Sequence, residues 1–327
     1  MLQLIKNNNP FTVIILLILT LLLKLGVLMH PHAPVELPGF YLYNWLLYLL
    51  KAVFHESAFG YTFFGVGMVF LQALYINRIA AKHKLFSRPT YIPAFVYLLL
   101  TSLFPPWNYF NATLIIVWCV LGGMDILLGF NLANLPRKRI FNAGFFFAMA
   151  ALFQFSLTAY LALLIIGIFM LRSFNLGEWV VALMGYFTPV YFFAGALFMG
   201  DKLSLFPKWI HIGKSIPVHI TSPAYFTVLI LGLITLLVCG LYAMQLQLPK
   251  FSIYIRRNWA AILIYFIISI VIGVGTDKIV QSGWLIVIPS LCFVISTALL
   301  LEKNKGFSNF ILYFSLILVV VCQLTIN

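Results

Sequence analysis

The sequence predicts an all-α integral membrane protein, a polytopic helical bundle, and three observations predict it. Hydrophobic residues fill 63% of the 327 positions and charged ones only 8%, against about 25% charged in an ordinary soluble domain. Mean hydropathy is +1.07. Apolar runs long enough to cross a hydrocarbon core of about 30 Å recur along the whole chain. The longest interval without one, roughly 200–220, is too short for an independent fold. One transmembrane domain over 1–327 is expected, with no soluble domain.

Full spans are expected near 12–30, 58–80, 90–104, 111–133, 177–199, 221–244, 258–275, 279–301 and 307–326. Lys24 interrupts the first run and no small-residue cleavage site follows it, so this helix is expected to stay as an anchor.

Two segments are less regular. Residues 40–54 make a helix of only about 22 Å, short for a crossing. Asn44, Tyr48, Lys51 and His55 recur on one face, and Tyr41, Tyr43 and Trp45 add aromatic rings. That pattern predicts a helix lying in the interface, with its rings at headgroup level. Residues 142–172 are almost unbroken in apolar character. They read either as one tilted helix or as two short helices turning near Gln154-Phe155-Ser156.

The positive-inside rule chooses between these readings. With a turn, 14 lysines and arginines fall inside and 5 outside; with a single crossing the split is 12 to 7, Lys24 lying within the first span in both cases. The more asymmetric split favours the helical pair. About 11 crossings follow, with the N-terminus cytoplasmic and the C-terminus outside.

The net charge of +13 does not indicate a nucleic-acid partner. The cations sit in short loops between apolar spans, with no basic helix and no interleaved aromatic platform. The expected partner is the lipid bilayer. Cys119, Cys239, Cys292 and Cys322 fall inside apolar spans without CxxC spacing, which suits packing rather than disulfides or metal binding.

In this topology most acids and histidines gather on the outer face, so chemistry is expected there. The loop Met29-His30-Pro31-His32-Ala33-Pro34-Val35-Glu36-Leu37-Pro38-Gly39 is stiffened by three prolines and runs into the interfacial helix. Glu36 there has the chemistry of a general base, or of a ligand to a divalent metal ion bridging a lipid phosphate. His30 and His32 are weaker metal candidates, since two neighbouring imidazoles do not complete a site. A rigid connector with solvated side chains is the plainer alternative. His55-Glu56 opens like the HExxH zinc motif, but position 59 is Phe59 and the motif fails.

Lys202, Lys208, His211 and Lys214 surround Trp209 in another outer loop. They could clamp an anionic or diphosphate headgroup, or simply be a solvated loop anchored by the indole. Asp125 reads as lying near the middle of the 111–133 span, where an ionised acid costs at least ~2.5–3.5 kcal/mol and needs a partner. Lys24 is the expected partner, with Gln72 and Gln154 as neutral alternatives. The pair would serve proton or ion coupling, or lock helices together; Gly122 and Gly123 beside Asp125 suit close packing. No nucleotide-binding glycine loop, GxSxG elbow or dinucleotide fingerprint occurs.

Two resemblances bear on function. Leu4-Ile5-Lys6-Asn7-Asn8-Asn9-Pro10, Glu36-Leu37-Pro38-Gly39, Asn77-Arg78 with Arg88-Pro89-Thr90-Tyr91-Ile92-Pro93, Phe141-Asn142-Ala143-Gly144-Phe145 and Arg172-Ser173-Phe174-Asn175-Leu176-Gly177-Glu178-Trp179 resemble a multi-pass inner-membrane family of Bacteroidota without an established activity. The arrangement of Glu36, the 40–54 helix and the 142–172 pair is also similar to membrane glycosyltransferases that use polyprenyl-phosphate sugars, though with one acid in place of their usual pair and no large outer domain. That second resemblance implies an envelope glycosyltransferase-like protein acting on a polyprenyl-linked substrate at the outer face. Glu36 would be its base or metal ligand, and Lys202, Lys208, His211 and Lys214 its headgroup contacts. A transporter or flippase using Asp125 and Lys24 is the alternative, and a non-catalytic scaffold or assembly subunit the third.

Overall fold

A computed structural model describes residues 11–55, 57–130, 136–172, 175–210, 223–274, 281–301 and 305–326. Among them are fourteen α-helices and no strand, as an apolar chain requires: in hydrocarbon a helix satisfies its own backbone groups. Six segments are both long and apolar enough to cross a membrane: Ala58–Lys82, Leu176–Met199, Phe226–Lys250, Ile253–Val274, Ser282–Leu299 and Gly306–Leu324. The fold is a helical membrane bundle.

The first span is bent rather than broken. Helix α1 (Phe11–Leu23) and α2 (Leu25–Met29) meet at Lys24, where the backbone bonds Lys24 N to Thr20 O and Leu28 N to Lys24 O persist. After the proline loop, α3 (Tyr41–Phe54) occupies the predicted interfacial segment and stops at His55, whose φ of 45° is left-handed. It buries Tyr43 and Leu47 and leaves Trp45, Tyr48 and Val53 exposed, the two-faced habit of a surface helix.

Helix α4 (Ala58–Lys82) starts at Ser57, whose hydroxyl accepts from Gly60 N. It leads into α5 (Ile92–Thr101), with Pro93 in its first turn, where a missing N–H costs nothing. A 3-10 turn at Pro105–Trp107 reverses the chain into α6 (Ala112–Leu127), capped by Asn111.

The long apolar segment folds as two helices. Helix α7 (Pro136–Phe153) and α8 (Tyr160–Leu171) are separated by extended Gln154 and a 3-10 turn at Phe155–Ala159. The two outer ends of this pair return to one place. Arg139, at the start of α7, donates to Gly129 O, and Arg172, just past α8, donates to Phe130 O. Helix α9 (Leu176–Met199) then packs along α7 through small residues. A Cβ on Gly144 would stand 2.7 Å from Ala182 O, so the backbones meet directly.

The chain continues through α10 (Phe206–Trp209), α11 (Pro223–Gln247), α12 (Ile253–Val274), a 3-10 stretch at Gln281–Val287, α13 (Ile288–Leu299) and α14 (Lys305–Ile326). Every residue of α5 and of α13 is buried. These two short helices form the centre of the bundle, joined where Cys292 Sγ donates to Pro93 O at 2.9 Å.

Cross-links sort the loops into two ends. At one end Trp259 Nε1 donates to Leu85 O, Tyr254 to Leu128 O, and Arg139 and Arg172 reach residues 129–130. At the other, Tyr109 reaches His30 O, Thr113 pairs with Ser282, and Gln323 donates to Leu23 O. The first is the arginine end and the second the Lys24 end.

Candidate functional site

The bend in the first helix delivers Lys24 to the interior. Its side chain has 0% exposure. The ammonium donates to Thr101 Oγ1 at 3.0 Å and to the side-chain carbonyl of Asn108. Asn108 is itself locked: its amide donates to Thr101 O at 2.8 Å and to Phe104 O at 3.3 Å. Gly65 makes room for this turn, since a Cβ there would stand 2.6 Å from Asn108 O. Thr101 closes the far end of α5, so Lys24 sits where α1, α5 and the 105–107 turn converge. A second buried polar chain runs beside it. Tyr97 donates to Gln72 Oε1 at 2.8 Å, and Gln72 donates to Leu114 O at 2.7 Å.

Asp125 is elsewhere. It accepts from Lys82 Nζ at 2.6 Å and pairs with His83 Nε2 at 2.8 Å. Helix α6 ends at Leu127, so Asp125 lies in its last turn, at the arginine end, and not near the middle of a span. Asn108 precedes the first turn of α6 and Asp125 falls in the last, about 20 Å apart at 1.5 Å per residue. The expected Lys24–Asp125 pair is therefore replaced by two separate sites, and Lys24 is matched with neutral oxygens only. Gln154, the other neutral alternative, lies in the turn between α7 and α8.

The proline loop is strapped down at three points. Thr62 Oγ1 exchanges hydrogen bonds with His32 N and O, Tyr109 donates to His30 O, and Asn44 brackets Leu37 N and O. The His32 ring meets Tyr109 edge-on at 4.7 Å. Burial pushes the Tyr109 hydroxyl pKa upward, which keeps it a donor. Glu36 points outward from this loop, its side chain 66% exposed and 3.4 Å from Lys51 Nζ.

No group of three or more His, Cys, Asp or Glu side chains gathers to hold a metal ion among the described residues. His30, His32 and Glu36 thus do not fit a divalent metal centre as they stand here. None of the four cysteines forms a disulfide.

The other candidate loop is described only in part. Lys202 and Lys208 are exposed, and Trp209 is buried against Phe155, Phe193 and Phe206. The indole therefore docks on the turn between α7 and α8. His211 and Lys214 lie outside the described residues.

The residues missed from sequence were the partners: Thr101 and Asn108 for Lys24, Lys82 and His83 for Asp125. Asn108 had a signal, as a polar residue in the Pro-Pro-Trp break at the depth where the first helix carries Lys24. His83 had one too, since it closes α4 at the end where α6 finishes. No family model, no curated protein and no solved structure matches this chain.

Proposed function

We propose that this chain is a transport-type membrane protein, a transporter or flippase, in which Lys24 receives the anionic group of its substrate. One observation carries the reading: a lysine with no exposure whose partners are a hydroxyl and an amide carbonyl. Placing a lysine inside a bilayer costs at least ~2.5–3.5 kcal/mol, and such residues typically pair with an opposite charge or mark a substrate path. A methionine of similar length would pack the same space without that cost. What the lysine adds is its positive charge, which neutral partners orient without cancelling.

The substrate class is an anion that reaches the membrane interior, a lipid-borne phosphate above all. The arginine end is placed in the cytoplasm on the charge asymmetry, giving eleven crossings of an inner membrane with the C-terminus outside. The transferase reading draws less support, because its acid, Glu36, is turned to solvent and paired with Lys51. The scaffold reading uses Lys24 only to join α1 to α5 and the 105–107 turn, for which its charge is not needed.

Reconstitution tests the proposal. Proteoliposomes carrying the full chain and a fluorescent anionic lipid should move that lipid between leaflets faster than empty liposomes. Lys24→Met should abolish the gain while still unfolding in one cooperative thermal transition. Equal rates for wild type and Lys24→Met would overturn it, and so would accumulation of no lipid-linked intermediate in a deletion strain.

A further inference from the structure

Helices α7 and α8 rise from the arginine end and stop short. From Ile140 to Phe153 α7 measures about 20 Å, and α8 measures about 18 Å. A hydrocarbon core is about 30 Å thick, so the turn between them stands inside it. Beside the pair, α9 runs on for about 36 Å. Irregular backbone at such a depth is tolerated only where protein covers it or where it lines a polar cavity.

Protein covers this turn. Past Gly200 the chain folds back, and Trp209 seats edge-on against Phe155 at 5.2 Å and against Phe193 at 5.9 Å. Phe193 lies about 9 Å below the end of α9. The 203–209 segment therefore reaches down to the level of the turn and fills the remaining depth. The indole N–H makes no hydrogen bond among the described residues, so ring contacts hold this cover in place.

At the break itself the polar groups are oxygens. Gln154 is 8% exposed, and its side-chain carbonyl has no hydrogen-bond partner among the described residues. Its backbone is extended, and the next backbone bond runs from Leu157 N to Gln154 O. The last carbonyls of α7 thus end at the break without a further helical turn to pair them, and they carry the negative end of that helix's dipole. Tyr186 of α9 adds a buried hydroxyl beside Thr158. Packing alone does not account for glutamine here: burying a carbonyl without a donor costs stability that a leucine of similar volume would keep.

From this we infer a site for a monovalent cation at the break, formed by the side-chain carbonyl of Gln154 and the C-terminal carbonyls of α7. Unwound carbonyls at the C-terminal end of a half-helix hold such ions where membrane helices are interrupted. A buried water would also satisfy one carbonyl, but the helix end favours a positive charge over a neutral molecule. The site is separate from Lys24 and does not rest on the transport reading.

A bound ion raises the melting temperature by mass action, which provides the test. Detergent-purified full chain is melted in sodium, potassium or choline chloride at equal ionic strength, choline being far larger than either metal ion. Sodium, potassium or both should raise melting saturably over choline, and the ion that responds gives the size of the site. Gln154→Leu should abolish that rise while still unfolding in one cooperative transition. Gln154→Glu puts a charge where the amide stands and should lower the half-saturating concentration at least tenfold. Lys138→Gln, a charge change on an exposed residue at the arginine end, should leave the response unchanged. Equal melting in all three salts would mean a buried water only and would overturn the assignment. A salt response that survives Gln154→Leu, or weakens in Gln154→Glu, would overturn it too.

Discussion

The ammonium of Lys24 donates to the side-chain carbonyl of Asn108, 84 residues further along the chain. Asn108→Leu should destabilise the protein by about 3 kcal/mol, because a buried charge loses an acceptor. Adding Lys24→Met to that variant should recover at least half the loss, since an apolar pair carries no desolvation penalty. Thermal unfolding in detergent reads both. A double variant no more stable than Asn108→Leu would refute the account of this site.

Arg172 grips Glu178 side-on, Nε to Oε2 at 3.2 Å and Nη2 to Oε1 at 2.8 Å. Glu178 is 4% exposed. Arg172→Ala should cost about 3–5 kcal/mol by stranding the carboxylate. Arg172→Lys should restore little of it, lacking the planar fork and its reach to Phe130 O. Full recovery with lysine would mean that only charge matters here.

Asp125 has unequal partners. Lys82 is about half exposed, whereas the His83 side chain is 3% exposed. Lys82→Ala should therefore cost under about 1 kcal/mol. His83→Ala should cost about 1–3 kcal/mol, since it removes a buried hydrogen bond. Chemical denaturation of the two variants checks the order, and the reverse order would contradict the observed burial.

Single cysteines report sidedness. In a background lacking Cys119, Cys239, Cys292 and Cys322, cysteines at positions 137 and 177 should react with an impermeant maleimide from one side of the membrane. Those at 51 and 202 should react from the other. Labelling of 137 and 177 from opposite sides would show that the segment between them crosses once.

Close backbone approach predicts sharp glycine effects. A Cβ at Gly65 meets Asn108 O at 2.6 Å, and one at Gly185 would overlap the Phe141 carbonyl, while Gly67 has nothing within 4 Å. Gly65→Ala and Gly185→Ala should each cost about 1–3 kcal/mol through overpacking. Gly67→Ala should be neutral or stabilising by up to about 1 kcal/mol. Melting temperatures of the three variants separate packing from helix propensity.

Much of this molecule could be read in advance. Composition set the membrane class because hydrocarbon admits only residues whose backbone is satisfied within the helix. The charge asymmetry favoured two short helices over 142–172, and the structure has them, turning at Gln154–Ala159. The short helix over 41–54 and its end at His55 were visible as a polar stripe in the sequence.

The sites were legible only as isolated residues. Lys24 and Asp125 stood out as charges within apolar runs, and pairing them was the natural inference. Sequence by itself determined which residues needed partners, since burying a charge is costly wherever it happens. Only the tertiary structure decided which partners they found. Helix α6 places its two ends about 20 Å apart, so one charge met Asn108 and Thr101 and the other met Lys82 and His83. Hydrogen bonds act over about 3 Å, and which groups come that close depends on how helices distant in sequence are packed side by side.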